Sequence, residues 1–279
     1  MTDQPKFTQK LFKLSYIGIG LFIVVVSIFY IFPIAMLLNV SLKTSTEFTA
    51  NPVSLTQSFH IENYRNVLRQ SGFARSFFNS VWYTVVSNVL TLFVTALAAF
   101  VISRKYVKYS GFFYMLFMAG IFLPNPLIPQ FRLIDMLGLY GKPLGYLLLR
   151  INPGIIMLLM VGYYKTIPRE FDEAAALDGC GTIRYILQFL LPMSKPVFAT
   201  ATILYSVGVW NDLIGTTIFL TSPKYYPVIR VLFMFVGQYG NDWPPLAAAV
   251  FIVALPVILI FLIFQKYIIE GAVAAGLKG

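Results

Sequence analysis

Cysteine and histidine are almost absent from this 279-residue sequence, which contains one of each, Cys180 and His60. A single cysteine excludes a disulfide within the chain, and a single histidine cannot form a histidine cluster for a metal ion. A phosphate-binding loop of the form Gly-x4-Gly-Lys-Ser/Thr is also missing. These absences argue against zinc chemistry and against Ser-His or Cys-His catalysis. We therefore expect no catalytic residue, no metal ligand and no cofactor in this chain.

Charged side chains are scarce as well. They make up 11% of the sequence, whereas hydrophobic residues make up 58%, a balance that is far from that of a soluble domain. A helix that crosses the hydrocarbon core of a bilayer needs about 20 mostly apolar residues, and six stretches are long enough. They lie at 16–40, 77–102, 111–131, 144–164, 196–220 and 246–269. The sequence thus predicts an all-α membrane protein with six transmembrane helices.

The first of these stretches has a rival interpretation as a cleavable signal peptide, because Lys6, Lys10 and Lys13 precede it. The apolar run is too long for a signal peptide, and no small-residue cleavage site follows promptly. We therefore interpret residues 1–15 as a cytoplasmic N-terminal segment and residues 16–279 as one transmembrane domain.

The charges that are present are mostly positive, and the net charge is +10. A nucleic-acid-binding protein would concentrate them on one face, whereas here they are scattered between the hydrophobic stretches. The short 103–110 loop holds Arg104, Lys105 and Lys108, and basic residues in short loops favour the cytoplasmic side. We expect a multi-pass protein of the bacterial cytoplasmic membrane, with both termini in the cytoplasm, that contacts membrane lipid and no nucleic acid.

A polar stretch at 165–195 has the pattern of a helical hairpin. Pro168 suits the first turn of a helix, the acidic segment 170–173 suits its positive N-terminal end, and Gly179 suits its stop. A second periodic apolar run follows and ends near Pro192. The alternative is an ordinary loop helix that is rich in alanine because of the helix propensity of that residue.

The spacing within this 168–192 hairpin resembles the EAA signature of ABC importer permeases, usually written EAA-x3-G-x9-I-x-LP. Phe189 stands where the signature has isoleucine. In that family the hairpin is the coupling helix, which seats on a separate ATP-binding subunit, so the resemblance implies that ATP and Mg²⁺ are bound by that partner. The residues to which the resemblance assigns coupling are Glu173, Ala174, Ala175, Asp178, Gly179 and Pro192.

Motifs elsewhere in the chain are similar to the second permease subunit of maltose-type sugar importers. They are Asn79-Ser80, Trp210-Asn211-Asp212, the segment 237–243, and Phe264 to Tyr267 followed by the last two residues. The resemblance implies an ABC importer permease that transports a sugar or oligosaccharide. It also implies three kinds of partner: an ATP-binding subunit dimer, a second permease subunit and an extracellular solute-binding protein.

Two terminal features carry further roles in that family. The last outer loop, 221–245 here, projects into the cleft of the binding protein, and the cytoplasmic tail, 270–279 here, contacts the ATPase. The alternatives are a glycine-rich turn with interfacial aromatic residues and a frayed terminus. The residues concerned are Gln238, Tyr239, Gly240, Asn241, Asp242 and Trp243 in the loop, and Gly276, Lys278 and Gly279 in the tail.

The solute path is the least specific part of the prediction. Prolines interrupt the third hydrophobic stretch at its outer end, and irregular backbone at membrane depth is tolerated only where protein or water covers it. Our candidates for the path are Asn125, Trp210, Asn211 and Asp212. Asp212 could equally be a structural polar group between helices. A permease for another solute, such as a polyol phosphate, and an autonomous secondary transporter are the alternative functions.

Overall fold

The computed structural model describes the backbone of residues 6–70, 72–239 and 242–276, and the side chains of residues 18–70, 72–236 and 242–267. Every regular element in these ranges is helical. Three helices are long and apolar enough to cross a membrane, over Gly18–Ser41, Phe73–Arg104 and Trp243–Tyr267. Three further spans exist if each of three bent helix pairs counts as one. The described residues are therefore compatible with the six spans expected from the sequence.

The helices follow one another with short connections. In chain order they are α1 (Lys6–Ser41), α2 (Ser45–Ala50), α3 (Glu62–Arg69), α4 (Phe73–Arg104), α5 (Ser110–Phe122), α6 (Leu127–Met136), α7 (Pro143–Arg150), α8 (Gly154–Thr166), α9 (Glu170–Leu177), α10 (Thr182–Tyr185), α11 (Leu191–Met193), α12 (Lys195–Trp210), α13 (Leu213–Phe219), α14 (Val228–Tyr239) and α15 (Trp243–Gly276). A π-helical turn, Ile186–Leu190, joins α10 to α11, and a 3-10 turn, Pro223–Tyr225, precedes α14.

Three of the expected spans are not single helices. The third changes direction by 110° between α5 and α6, and the fourth by 43° between α7 and α8. Pro124, Pro126 and Pro153 lie at these breaks, and a proline lacks the backbone N–H that would continue the helical ladder. The fifth ends as α12 at Trp210, and the separate helix α13 covers the rest of 196–220. The break in the third stretch agrees with the interruption expected from its prolines, whereas the breaks in the fourth and fifth stretches were not predicted.

The chain divides into two compact units. The first comprises residues 1–70 and 235–252, and it contains a tight connection between α1 and α3. The side chain of Lys43 is fully buried there, and its Nζ atom donates to Asn51 O at 2.8 Å and to Ser54 Oγ at 3.1 Å. The backbone N–H of Gln57 donates to Glu47 and lowers the pKa of that carboxyl group. These contacts fix the segment 51–61, which contains no helix.

The second unit, residues 71–234 and 253–279, has its main core where α4 packs against α8 and α12. Small side chains, among them Ala96, Ala99 and Ala201, are buried there beside Met157 and Met160. Small residues allow helix backbones to approach closely, which is the usual basis of packing between membrane helices.

Two polar residues in the second turn of α4 form hydrogen bonds to the segment that leads into α14. Asn79 Nδ2 donates to Lys224 O at 2.9 Å and to Tyr226 O at 3.1 Å. Ser80 Oγ accepts from Val228 N at 2.8 Å. The Asn79-Ser80 motif therefore satisfies backbone groups of an irregular segment, as buried backbone requires.

Candidate functional site

The 168–192 hairpin forms two short helical arms. The first arm, α9, begins two residues after Pro168. The chain reverses at Gly179, whose φ of +69° lies in the left-handed region, where only residues without a Cβ fit at no cost. The second arm continues through the π-helical turn, in which Leu191 N donates to Ile186 O. The helix stop predicted at Gly179 is therefore a helix C-terminus with a left-handed residue.

A buried ion pair attaches the hairpin to the end of α4. Arg104 Nε lies 2.6 Å from Asp172 Oδ2, and Arg104 Nη2 donates to Asp172 Oδ1 at 3.1 Å. The Arg104 side chain is 3% exposed and that of Asp172 is 11% exposed. The hydroxyl of Tyr185, in the second arm, donates to the same carboxylate. One carboxylate thus joins both arms of the hairpin to α4.

Arg104 also binds the end of α8. Its Nη1 atom donates to Tyr164 O at 3.2 Å and to Ile167 O at 3.0 Å. From the sequence, Arg104 served only as a basic residue that indicates the cytoplasmic side, and Asp172 only as an acidic residue at a helix N-terminus. Pairing between residues 68 positions apart leaves no local pattern, so the sequence alone gave no signal for this network.

The side of the hairpin away from this network is exposed. Glu173, Ala174, Asp178, Gly179 and Pro192 are exposed, and Ala175 is partly buried against the core. Large apolar side chains share that surface: Leu177 is 89% exposed, Ile183 75% and Phe171 51%. The exposed surface of the hairpin, with its small and apolar side chains, suits contact with another protein.

A cavity of the second unit lies among α5, α6, α7, α8, α12 and α13, and we call it the Arg150 cavity. Its volume is about 1020 Å³. The lining includes an ion pair, several aliphatic groups and four amide side chains, those of Asn125, Gln130, Asn152 and Asn211. Asn125, Asn211 and Asp212 all line it. Trp210 does not: it is buried, its Nε1 atom donates to Val253 O at 3.1 Å, and its ring packs on Phe77.

Asp212 is a structural polar group, one of the two alternatives that the sequence left open, and it also borders the Arg150 cavity. Its Oδ1 accepts from Gly215 N at 2.9 Å, which makes it the N-cap of α13, a position that favours Asp and Asn. Its Oδ2 accepts from Arg150 Nη1 at 2.7 Å and from the hydroxyl of Tyr146 at 3.1 Å. The carboxylate is therefore structurally satisfied and still borders the cavity.

Arg150 was not among the residues predicted from the sequence. It ends α7, and its charged group lies at the wall of the cavity with 28% of the side chain exposed. Its carbonyl oxygen accepts from Thr91 Oγ1 at 3.2 Å and from the Tyr205 hydroxyl. The break at Asn152-Pro153 frees such carbonyl groups from the helical ladder, and this is the one signal that marked the position.

The opposite end of α13 is also held by a charge. Arg230 Nη1 donates to Thr216 O at 3.0 Å and to Leu220 O at 2.5 Å, and its guanidinium stacks over Tyr226 at 3.5 Å. A short helix thus has a carboxylate at its N-terminus and a guanidinium at its C-terminus, which matches its dipole at both ends.

Comparison with known proteins places this geometry in a family. The family described as "Binding-protein-dependent transport system inner membrane component" matches residues 71–271, a range that contains both the hairpin and the Arg150 cavity. The chain belongs to this family. Probable ABC transporter permease protein YurM of Bacillus subtilis (strain 168) is 34% identical over 283 residues, which covers 99% of the chain and 92% of that relative.

Two further similarities concern importers of defined solutes. Arabinooligosaccharides transport system permease protein AraQ of Bacillus subtilis (strain 168) is 29% identical over 274 residues, with 96% of the chain and 98% of the relative covered. A solved structure, of a bacterial ABC transporter involved in the import of the acidic polysaccharide alginate, has a chain that matches with a TM-score of 0.79 at 21% identity. The match covers 96% of this chain and 100% of that one, and it shows that the fold is that of an ABC importer permease.

The remaining predicted residues of this importer permease lie outside the cavity and the hairpin. The segment 221–245, expected to be a loop, contains the helix α14, so Gln238 and Tyr239 are its last residues. Asp242 accepts from Ser45 Oγ at 2.6 Å, and Trp243 begins α15, half exposed and tilted against Phe48. The helix α14 within this outer loop was not predicted; its apolar sequence is long enough to form a helix, and the outer placement of the segment stays a prediction.

Several residues predicted from the sequence lie at or beyond the limits of the ranges that the structure describes. Gly240 and Asn241 lie outside the described residues, as do Lys278 and Gly279. Gly276 is the last residue of α15. Among the described side chains, no group of three or more His, Cys, Asp and Glu is arranged to hold a metal ion.

Proposed function

We propose that this chain is one of two permease subunits of an ATP-driven importer of a sugar or oligosaccharide, and that the solute passes along the Arg150 cavity. The lining of that cavity is the observation that carries the proposal. It combines amide side chains, a tyrosine hydroxyl and aliphatic surfaces with an ion pair whose charges cancel. Sugars offer many hydroxyl groups and apolar faces, and amides with apolar surfaces bind both. The printed solute of AraQ, arabinooligosaccharides, agrees with such a cargo.

The 168–192 hairpin is, in this proposal, the site at which an ATP-binding subunit docks. Its exposed apolar and small side chains support docking, and the Arg104–Asp172 pair supports rigid transmission of movement to α4. ATP and Mg²⁺ would be held by that partner. This chain transmits the movement, alternates the access of the cavity to the two sides of the membrane, and catalyses no covalent step.

The proposed topology places the hairpin and the 103–110 loop in the cytoplasm, in line with their basic residues. The connection between α1 and α4 and the segment between α13 and α15 then lie outside, where a solute-binding protein delivers the solute. The family description, which names binding-protein-dependent transport, supports that partner. The predicted tail contact at Gly276, Lys278 and Gly279, and the loop contact at Gln238 to Trp243, belong to the same proposal.

A phosphorylated polyol is less well supported as the solute. A path for phosphate would need unpaired positive charge, whereas Arg150 is the one basic residue in the lining of the cavity, among the described residues, and it is paired with Asp212.

The experiment has two steps. A thermal-shift screen of the cognate solute-binding protein first identifies the saccharide that stabilises it. The purified complex is then reconstituted in liposomes with that binding protein, and uptake of the labelled saccharide is measured with ATP and with ADP. We expect uptake of the saccharide with ATP and no uptake with ADP. Uptake that is equal with ADP, or stabilisation by polyol phosphates and by no saccharide, would contradict the proposal.

A further inference from the structure

An apolar groove lies between α4 and α5, next to the turn that joins them. Its volume is about 450 Å³. One face of α4 forms one wall through Val94, Leu97, Ala98 and Val101, which have the spacing of a single helical stripe. The rings of Phe113 and Phe117 form the other wall. The one polar side chain in the lining, Ser110, already donates its Oγ proton to Val107 O at 2.5 Å, so the groove offers no unsatisfied polar group to a ligand.

The turn at the end of the groove is basic and aromatic. Lys105 and Lys108 are exposed, and neither forms an ion pair with any residue that the structure describes. Val107 and Ser110 line the groove on either side of Lys108, so this ammonium group is carried by the segment that closes the groove. Tyr106 and Tyr109 are about 60% exposed on the same turn. Exposed tyrosines of this kind are typical of the level of the lipid headgroups.

We propose that this groove is a binding site for an anionic phospholipid. An acyl chain occupies the space between the α4 stripe and the two phenylalanine rings, and the ammonium groups of Lys105 and Lys108 hold the headgroup phosphate. The neighbouring Arg104 cannot contribute, because Asp172 already pairs with it. The proposal rests on the proposed topology, in which the turn faces the cytoplasmic leaflet, whose surface is negative.

Charge and shape both favour a lipid over a helix of another subunit as the occupant. Interfaces between membrane helices are rich in small and hydrogen-bonding residues, whereas this groove has two phenylalanine rings and a single alanine, Ala98. An apolar helix of a protein partner would also provide no negative charge for the ammonium groups of Lys105 and Lys108 at the end of the groove. A phosphate group joined to a flexible hydrocarbon chain satisfies both parts of the site at once.

The test measures lipid binding without transport, so its outcome is independent of the proposed solute. The full-length chain is purified in detergent and titrated with dioleoyl phosphatidylglycerol or dioleoyl phosphatidylcholine, and bound lipids are counted by native mass spectrometry. We expect tighter binding of phosphatidylglycerol. The double variant Lys105→Gln/Lys108→Gln should lose that preference, with about a five-fold loss of affinity per lysine. The control Lys142→Gln/Lys224→Gln removes two exposed lysines elsewhere and should keep it.

A second pair of variants tests the groove itself. Ala98→Phe fills the groove and should abolish the bound phosphatidylglycerol, whereas Val85→Phe places the same aromatic side chain at an exposed position of α4 outside the groove and should leave the lipid bound. Equal affinity for the two lipids in the unchanged chain would overturn the proposal. So would cross-linking of Ala98→Cys, in a Cys180→Ala chain, to a helix of another subunit in the intact complex.

Discussion

At the scale of single residues, the charge of the Arg150 cavity depends on one contact. Arg150 Nη1 and Asp212 Oδ2 lie 2.7 Å apart, and the two side chains are 28% and 13% exposed. They are the only charged side chains in the cavity lining within the part of the chain that the structure describes. Because each charge offsets the other, the lining of the cavity offers polar groups without a net charge.

Removing the carboxylate should therefore make the cavity positive. Asp212→Asn keeps the N-cap of α13, since asparagine caps as well as aspartate does, but it leaves the guanidinium of Arg150 unpaired. The background is a Cys180→Ala chain in which Asn125→Cys places a thiol at the cavity wall. This thiol reacts with an anionic and with a cationic methanethiosulfonate reagent, and the ratio of the two rates is compared with and without Asp212→Asn. We expect Asp212→Asn to raise the ratio of the anionic to the cationic rate several-fold. The two reaction rates are measured by mass spectrometry.

Asp135→Asn is the matched control, because it removes an exposed carboxylate of α6 that does not line the cavity. An unchanged ratio of the two rates in Asp212→Asn would show that Arg150 does not set the field in the cavity.

The second prediction at this scale concerns Arg104. Removal of one partner from a buried ion pair leaves an uncompensated charge and costs about 3–5 kcal/mol. Arg104→Gln should therefore loosen the hairpin, and limited proteolysis should cleave it at Arg169 or Arg184 far faster than in the unchanged chain. Arg65→Gln breaks the Arg65–Glu62 pair, whose side chains are 58% and 38% exposed, so it should cost less than about 1 kcal/mol. Equal cleavage of the hairpin in the two variants would contradict a structural role for Arg104.

At the scale of elements, the reversal of the hairpin requires one residue with a positive φ. A proline at Gly179 would fix φ near −65°, far from the observed +69°. We expect Gly179→Pro to abolish ATP-driven uptake while the protein still inserts into the membrane, and Gly179→Asn to keep most of the uptake, because asparagine tolerates the left-handed region.

Gly181 gives the control for this prediction. Its φ is −65°, and a Cβ added there would meet no heavy atom within 4 Å. Gly181→Ala should therefore transport normally. If Gly179→Pro also transported normally, the turn would have no part in coupling.

The elements also show what the sequence could and could not predict. The stop of α9 at Gly179 was predictable, because a single residue with no Cβ determines it. The breaks after α5 and α7 carry prolines, which mark the positions of the bends, but the angles of 110° and 43° depend on packing far along the chain. The helix α14 was not predicted within the outer loop 221–245, because glycines and aromatic residues at its end suggested a flexible segment.

Contacts over long sequence distances explain the other omissions. Arg150 and Asp212 are 62 residues apart, and Arg104 and Asp172 are 68 apart. From the sequence, Asp172 was assigned to a helix N-terminus, and Asp212 was either a residue of the solute path or a structural polar group between helices. Trp210, assigned to the solute path because of its neighbours Asn211 and Asp212, points instead to the backbone of α15, since successive residues at a helix end face different directions.

At the scale of the whole molecule, the 168–192 hairpin and the Arg150 cavity, to which we assign coupling and transport in our proposal, lie in one compact unit, residues 71–234 and 253–279. The helix α4 passes from the contacts of Asn79 and Ser80, past the core with α8 and α12, to the ion pair of Arg104. Movement imposed on the hairpin thus acts directly on a 32-residue helix. This continuity gives a physical route by which a subunit without its own phosphate-binding loop can be driven from outside.

The ratio of saccharide uptake to ATP hydrolysis, measured in proteoliposomes that contain the complete importer, tests this account most directly. Glu173 is exposed, so Glu173→Lys should leave the fold unchanged while it reverses the charge of the docking surface. We predict that saccharide uptake falls at least ten-fold in Glu173→Lys and that the ratio of uptake to ATP hydrolysis falls with it. Asp135→Lys, the control, changes an exposed carboxylate outside the hairpin and should keep the ratio of the unchanged chain. An unchanged ratio in Glu173→Lys, with normal association of the ATPase, would contradict the account.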